Sequence, residues 1–90
     1  MTNELNFECT SEIRGFVDKI STTMTSLFFL PAGEAIGRIN KFWKGQRFLS
    51  RTSEITLFHE SPEYWAKTIY YGQDKMWWLG EEGLTPTPYP

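Results

Sequence analysis

The sequence holds one cysteine, Cys9, and one histidine, His59. A single cysteine closes no intramolecular disulfide and builds no multi-cysteine metal site. No metal-ligand spacing and no phosphate-binding glycine loop occurs, and no third group orients a Cys–His pair. These absences predict a protein that is not an enzyme, with no metal and no cofactor. The longest apolar run, residues 27–30, falls far short of the roughly 20 residues of a membrane-spanning helix. Met1-Thr2-Asn3-Glu4 carries no basic residue and leads into no apolar stretch, so neither a secretory signal nor a membrane partner is expected. A reduced, cytoplasmic setting follows.

What is present is aromatic. Among 90 residues there are four Trp, four Tyr and seven Phe, more than one small core usually takes, so some are expected at the surface or an interface. The length fits one domain, residues 1–79, with a flexible tail over 80–90 that carries two Gly and three Pro. The net charge of −2 argues against a general polyanion binder. It conceals an uneven distribution: −3 over residues 1–37, +5 over 38–51 and −4 over 52–90. Arg38, Lys41, Lys44, Arg47 and Arg51, interleaved with Phe42, Trp43 and Phe48, leave open a small nucleic-acid-binding module. Helical spacing instead groups Phe42 and Trp43 with Ile39 in a core, with the cations on a solvated face.

Periodicity predicts the elements. Thr10 or Ser11 can cap a helix over about 11–21, where Ile13, Phe16, Val17 and Ile20 share one face. Residues 24–30 read as a strand ended by Pro31. Ala35, Ile36, Ile39, Phe42 and Trp43 make a second helix, and Gly45 suits its end. Residues 46–51 and 54–60 read as a hairpin about Thr52-Ser53, with Ile55 and Leu57 alternating. Ser61-Pro62-Glu63 can open a helix, but Thr68-Ile69-Tyr70-Tyr71 favours a strand. A strand over 75–79 would send Trp77 and Trp78 to opposite faces. The expected fold is a single small α+β domain, with two helices on an antiparallel sheet of about five strands.

Segment order and three short motifs resemble the phage-encoded uracil-DNA glycosylase inhibitors. Thr25-Ser26-Leu27-Phe28-Phe29-Leu30-Pro31 is similar to that family's Glu-Ser-Ile-x-x-Leu-Pro strand. Ile36-Gly37 follows in the next helix, and Glu60-Ser61-Pro62-Glu63-Tyr64 resembles an acid followed by Ala-Pro-Glu-Tyr. The resemblance implies a DNA-mimicking decoy. It would occupy the DNA-binding cleft of a host uracil-DNA glycosylase, enclose an apolar residue of the enzyme's intercalating loop, and bind no nucleic acid itself. Carried over by motif, Thr25 and Ser26 would face the enzyme's groove. Phe29, Ala35, Ile36, Ile39, Ile55 and Leu57 would line the pocket, and Glu60 and Glu63 would be acidic contacts. Thr25 stands where the family has glutamate, and the chain is less acidic than the family, so recognition would rest on burial more than on charge. An inhibitor of another host nucleic-acid enzyme or defence complex is the alternative within the same class.

Overall fold

The structure is a computed structural model that describes residues 5–89; Met1–Glu4 and Pro90, the ends of the expected domain and tail, lie outside it. The described residues form β1 (Glu8–Cys9), α1 (Ser11–Phe28), α2 (Ala32–Phe42), β2 (Arg47–Phe48), α3 (Arg51–Phe58) and α4 (Pro62–Tyr71), followed by a 3-10 turn at Trp77–Leu79. The fold is therefore helical, and the antiparallel five-strand sheet is wrong. The one sheet among these residues is a parallel pair, β1 with β2, in register Glu8 to Arg47 and Cys9 to Phe48. Parallel strands need a long crossover, which α1 and α2 provide.

The first correction concerns residues 24–30. Thr10 caps α1 by accepting a hydrogen bond from the Ile13 N–H, and the helix then runs to Phe28. Ile13, Val17, Ile20 and Met24 are completely buried at helical spacing, so the stripe that begins the helix also carries it through the β-branched stretch. Thr23 and Thr25 satisfy their hydroxyls locally, donating to the carbonyls of Lys19 and Thr22. Local preference for strand loses to burial of one continuous apolar face. Phe29 ends the helix in the left-handed region, at φ 56° and ψ 40°, and Pro31 starts α2.

The expected hairpin is also a helix. Ser50 accepts from the Ser53 N–H at the head of α3, so Thr52-Ser53, expected as the tight turn between two strands, lies in the first turn of a helix. Ser61 does the same for α4 by accepting from Tyr64 N–H, and Pro62 occupies the first turn, where its missing N–H costs nothing. Of the two readings open for residues 61–71, the cap decides for helix. The strand expected at 75–79 is the 3-10 turn, with Trp77 donating its indole N–H to Thr68 Oγ1 while Trp78 is exposed.

Packing centres on α1. It lies most extensively against α4, then α2, and Ala35, Ile39, Leu57, Ala66 and Ile69 close over its buried stripe. At one end the aromatics form a cluster, with Trp43 meeting Phe7, Phe48 and Trp65 at centroid distances of 5.8, 5.4 and 5.4 Å. Trp65 donates its indole N–H to Leu57 O at 2.9 Å and so ties α4 to α3.

Residues 80–89, expected as a flexible tail, run back over α2 and α4. Glu81 accepts hydrogen bonds from Lys67 and from the Tyr71 hydroxyl, and Thr87 N–H donates to Tyr70 O at 2.8 Å. Arg38, buried on α2, donates to Thr87 O and Oγ1 and pairs with Glu34.

Candidate functional site

The residues expected to form one partner-binding site are divided by this fold. Ala35, Ile36, Ile39 and Leu57 are buried, the last three at 6, 0 and 2% exposure, so they form closed core where an open pocket was expected. Thr25 and Ser26 lie on α1 instead of on an exposed strand. Phe29 and Ile55 point outward on different elements, 90% and 61% exposed. Glu63 is exposed and pairs with Lys67 at 3.3 Å, and Glu60 follows the end of α3. No strand and no apolar helix–sheet pocket joins these ten positions among the described residues.

The basic segment is divided as well: Arg38 is buried, while Lys41, Lys44, Arg47 and Arg51 stay exposed. Arg38 is buried and engaged as above, Arg47 pairs with Glu8 at 3.2 Å and Arg51 with Glu54 at 3.8 Å. Lys41 donates to Pro88 O at 2.9 Å, while Lys44 is exposed. Trp43 is buried in the aromatic cluster and Phe42 and Phe48 are half-buried around it, which removes the stacking platform a nucleic-acid site needs. Acidic side chains from outside the segment thus meet three of its five cations.

The two chemically distinctive side chains, Cys9 and His59, lie on β1 and at the end of α3. Cys9, on β1, is half-buried, and burial pushes its thiol up against the opposing pull of Arg14, which keeps it protonated at neutral pH. His59 is exposed at the end of α3. Among the described residues no three His, Cys, Asp or Glu side chains gather into a group able to hold a metal ion. No helix among them is long and apolar enough to cross a membrane.

The distinctive surface is α3. Within this helix only Leu57 is buried. Arg51, Ile55 and Phe58 stand at i, i+4 and i+7, one stripe of the helix, and Ile55 and Phe58 remain 61% and 43% exposed. Phe58 leans edge-on against Phe16 of α1, with ring centroids 5.0 Å apart. Ile55 and Phe58 line a shallow hollow of about 360 Å³ with Arg51, Glu54 and His59. A second hollow, near 490 Å³, opens beside it on Leu5, Phe7, Cys9 and Leu49, the last 47% exposed. The Thr10 hydroxyl donates to Glu54 Oε2 at 2.9 Å and fixes the ridge between them. Sequence reasoning missed this face because it placed residues 54–60 on a strand. Had Ser50 been read as a cap, the 51, 55, 58 spacing would have shown an apolar stripe with a charge at its head.

Comparison of the chain with family models, with curated proteins and with solved structures found no match.

Proposed function

We propose that this chain acts without catalysis, by binding another protein through the α3 face. The observation that carries the reading is the outward stripe of α3: a helix of eight residues that buries one apolar side chain and leaves Ile55 and Phe58 in water. Apolar side chains held on a rigid helix, edged by Arg51, Glu54 and His59, have the make-up of an interface core inside a polar rim. Burying the rest of Ile55 and Phe58 against a partner would be worth about 1–2 kcal/mol each. Together the two would supply about 2–4 kcal/mol, a large share of the binding energy of a small interface. The reading places the protein in the cytoplasm of a host cell, where Cys9 is a reduced thiol.

Uracil-DNA glycosylase inhibition by strand insertion draws no support from an α1 that keeps Thr25 and Ser26 helical, or from a core closed over Ile36 and Ile39. The glycosylase is one target in the test, bound through α3 if it is bound at all. A nucleic-acid module draws little from a segment whose aromatics, Phe42, Trp43 and Phe48, pack into the core cluster and leave only its exposed cations outside.

The experiment is affinity capture from bacterial lysates with the wild-type chain and with Ile55→Asp/Phe58→Asp, followed by identification of what each retains, alongside a uracil-excision assay. A stoichiometric partner retained by the wild type and lost by the double variant supports the reading. Partners unaffected by the double variant, or lost instead with Lys44→Glu, refute it.

A further inference from the structure

Residues 84–89 meet the rest of the fold as a bound extended peptide meets its receptor. Thr87 is gripped through its backbone on both sides: its N–H donates to Tyr70 O at 2.8 Å, and its carbonyl accepts from Arg38 Nη1 at 2.8 Å. Lys41 adds a bond to Pro88 O at 2.9 Å. Main-chain bonds of this kind supply affinity, and a shaped contact supplies specificity. The shaped contact is Tyr89. Its ring lies on α2 directly over Gly37, where any added Cβ would overlap the phenol. Arg38 is held between two rings, with its guanidinium carbon 5.1 Å from the Tyr70 centroid and 5.3 Å from that of Tyr89.

Three further features separate this segment from ordinary core. Pro86 and Pro88 preset an extended backbone, so little chain entropy is lost on docking. The segment buries little, since Thr85, Pro86, Pro88 and Tyr89 are all exposed. It is joined to the domain through Gly80 and Gly83, both at positive φ (141° and 84°), where an added Cβ would meet nothing within 4 Å. Glu81 ties the start of this span to Lys67 and Tyr71, so Gly83, unpacked and next to the segment, is the pivot, and an exchangeable element on a pivot is the material of domain swapping. Next to Thr87 a hollow of about 360 Å³, lined by Arg38, Lys41, Phe42 and Ile69, leaves the groove open along one side.

We propose that the groove between α2 and α4 is a recognition site for the Thr87-Pro88-Tyr89 segment, filled in this structure from the same chain, and that a second copy of the chain fills it in trans. The second copy is the occupant because it carries the one ligand whose fit is already on the page. Arg38 favours replacement: when its own strap leaves, the guanidinium keeps Glu34 but loses Thr87 O and Oγ1, acceptors that a like segment restores.

Two full-length variants test this. Gly37→Ala displaces the Tyr89 ring from its seat on α2 and so weakens this groove's hold, but leaves the strap's own sequence intact, making a donor. Thr87→Pro/Tyr89→Ala removes the N–H that bonds Tyr70 O and the ring over Gly37, which disables the strap but leaves the groove intact, making an acceptor. Each alone is expected to sediment as a monomer, and a mixture is expected to give a one-to-one heterodimer at roughly micromolar concentration. That association should be at least tenfold stronger than the self-association of either variant. A labelled peptide of residues 84–89 should also bind the acceptor variant at least tenfold more tightly than the wild type, whose groove is filled. A mixture that stays monomeric with both variants cooperatively folded overturns the proposal, as does equal self-association of either variant alone. Should Gly37→Ala fail to fold, absence of peptide binding to the folded acceptor overturns it.

Discussion

Replacing Phe29 with glycine should stabilise the protein, although it deletes a large apolar side chain. Phe29 is 90% exposed, so no more than about a tenth of the 1.5–3 kcal/mol that burying such a side chain provides, roughly 0.2 kcal/mol, is at stake. Its backbone sits at φ 56°, ψ 40°, a left-handed conformation that costs a residue with a Cβ about 1–2 kcal/mol and glycine almost nothing. Against that relief stands the greater freedom of glycine in the unfolded chain, about 0.4–1 kcal/mol. The balance is a gain of about 0.5 kcal/mol, or about 2–4 °C in Tm for a chain of this size. Phe29→Ala, which keeps the strain, should change stability by little. Urea unfolding with an unchanged slope would read both. If residues 24–30 were a strand after all, glycine there would weaken it. A loss of more than about 0.5 kcal/mol in Phe29→Gly would therefore refute the helix end described here.

Other perturbations follow from the same packing. Met24→Ala opens a cavity at a fully buried position of α1 and should cost about 2–5 kcal/mol by chemical denaturation. Thr10→Ala removes the α1 cap and the bond to Glu54, and should cost about 1–2 kcal/mol in the same assay. Burial first, and then the hydrogen bond to Glu81, push the Tyr71 hydroxyl up to about 12. A group whose folded pKa is raised stabilises below its ordinary value, so stability should be intact below pH 10 and decline as pH rises towards 12. Glu81 is held below the ordinary carboxylate range, chiefly by its hydrogen bond from Lys67, so its contribution is present at neutral pH and lost as pH falls through its lowered value. Glu81→Gln should remove the acid limb due to Glu81 from a pH–stability profile and lessen the alkaline limb only in part, since burial still raises Tyr71.

The parts of the fold that could be read from the sequence were those where apolar spacing and chain punctuation agreed. Ile13, Val17 and Ile20 fixed the start of α1, and Ala35, Ile36 and Ile39 with Pro31 fixed α2. The errors share one cause. At Thr22, Thr23 and Thr25 the residue types favour a strand, and the deciding quantity is burial of Met24 against α2 and α4, which no local window contains. At Ser50 and Ser61 a hydroxyl reads equally as turn or cap, and the bond to Ser53 or Tyr64 N–H distinguishes them only once the backbone is placed. The candidate face was hidden by the same confusion, because Ile55 and Leu57 share a side on a strand and part on a helix. The surplus of aromatics was a sound clue to surface exposure: Phe29, Phe58, Trp78 and Tyr89 are all exposed. Charge was the weaker guide, since three of the five cations of the +5 segment meet carboxylates just outside it, at Glu34 and Glu54, or distant in sequence, at Glu8.

The central claim, that this chain works through the outward stripe of α3, is tested most directly by comparing capture by the wild type with capture by Ile55→Asp/Phe58→Asp. Ile55 is largely in water, but Phe58 gives up its packing on Phe16, worth about 1–2 kcal/mol, so the double variant should stay folded with a Tm lowered by about 5–15 °C. The account predicts one stoichiometric protein partner on the wild type and its loss from the folded variant. The same partner on both, at equal yield, would contradict it.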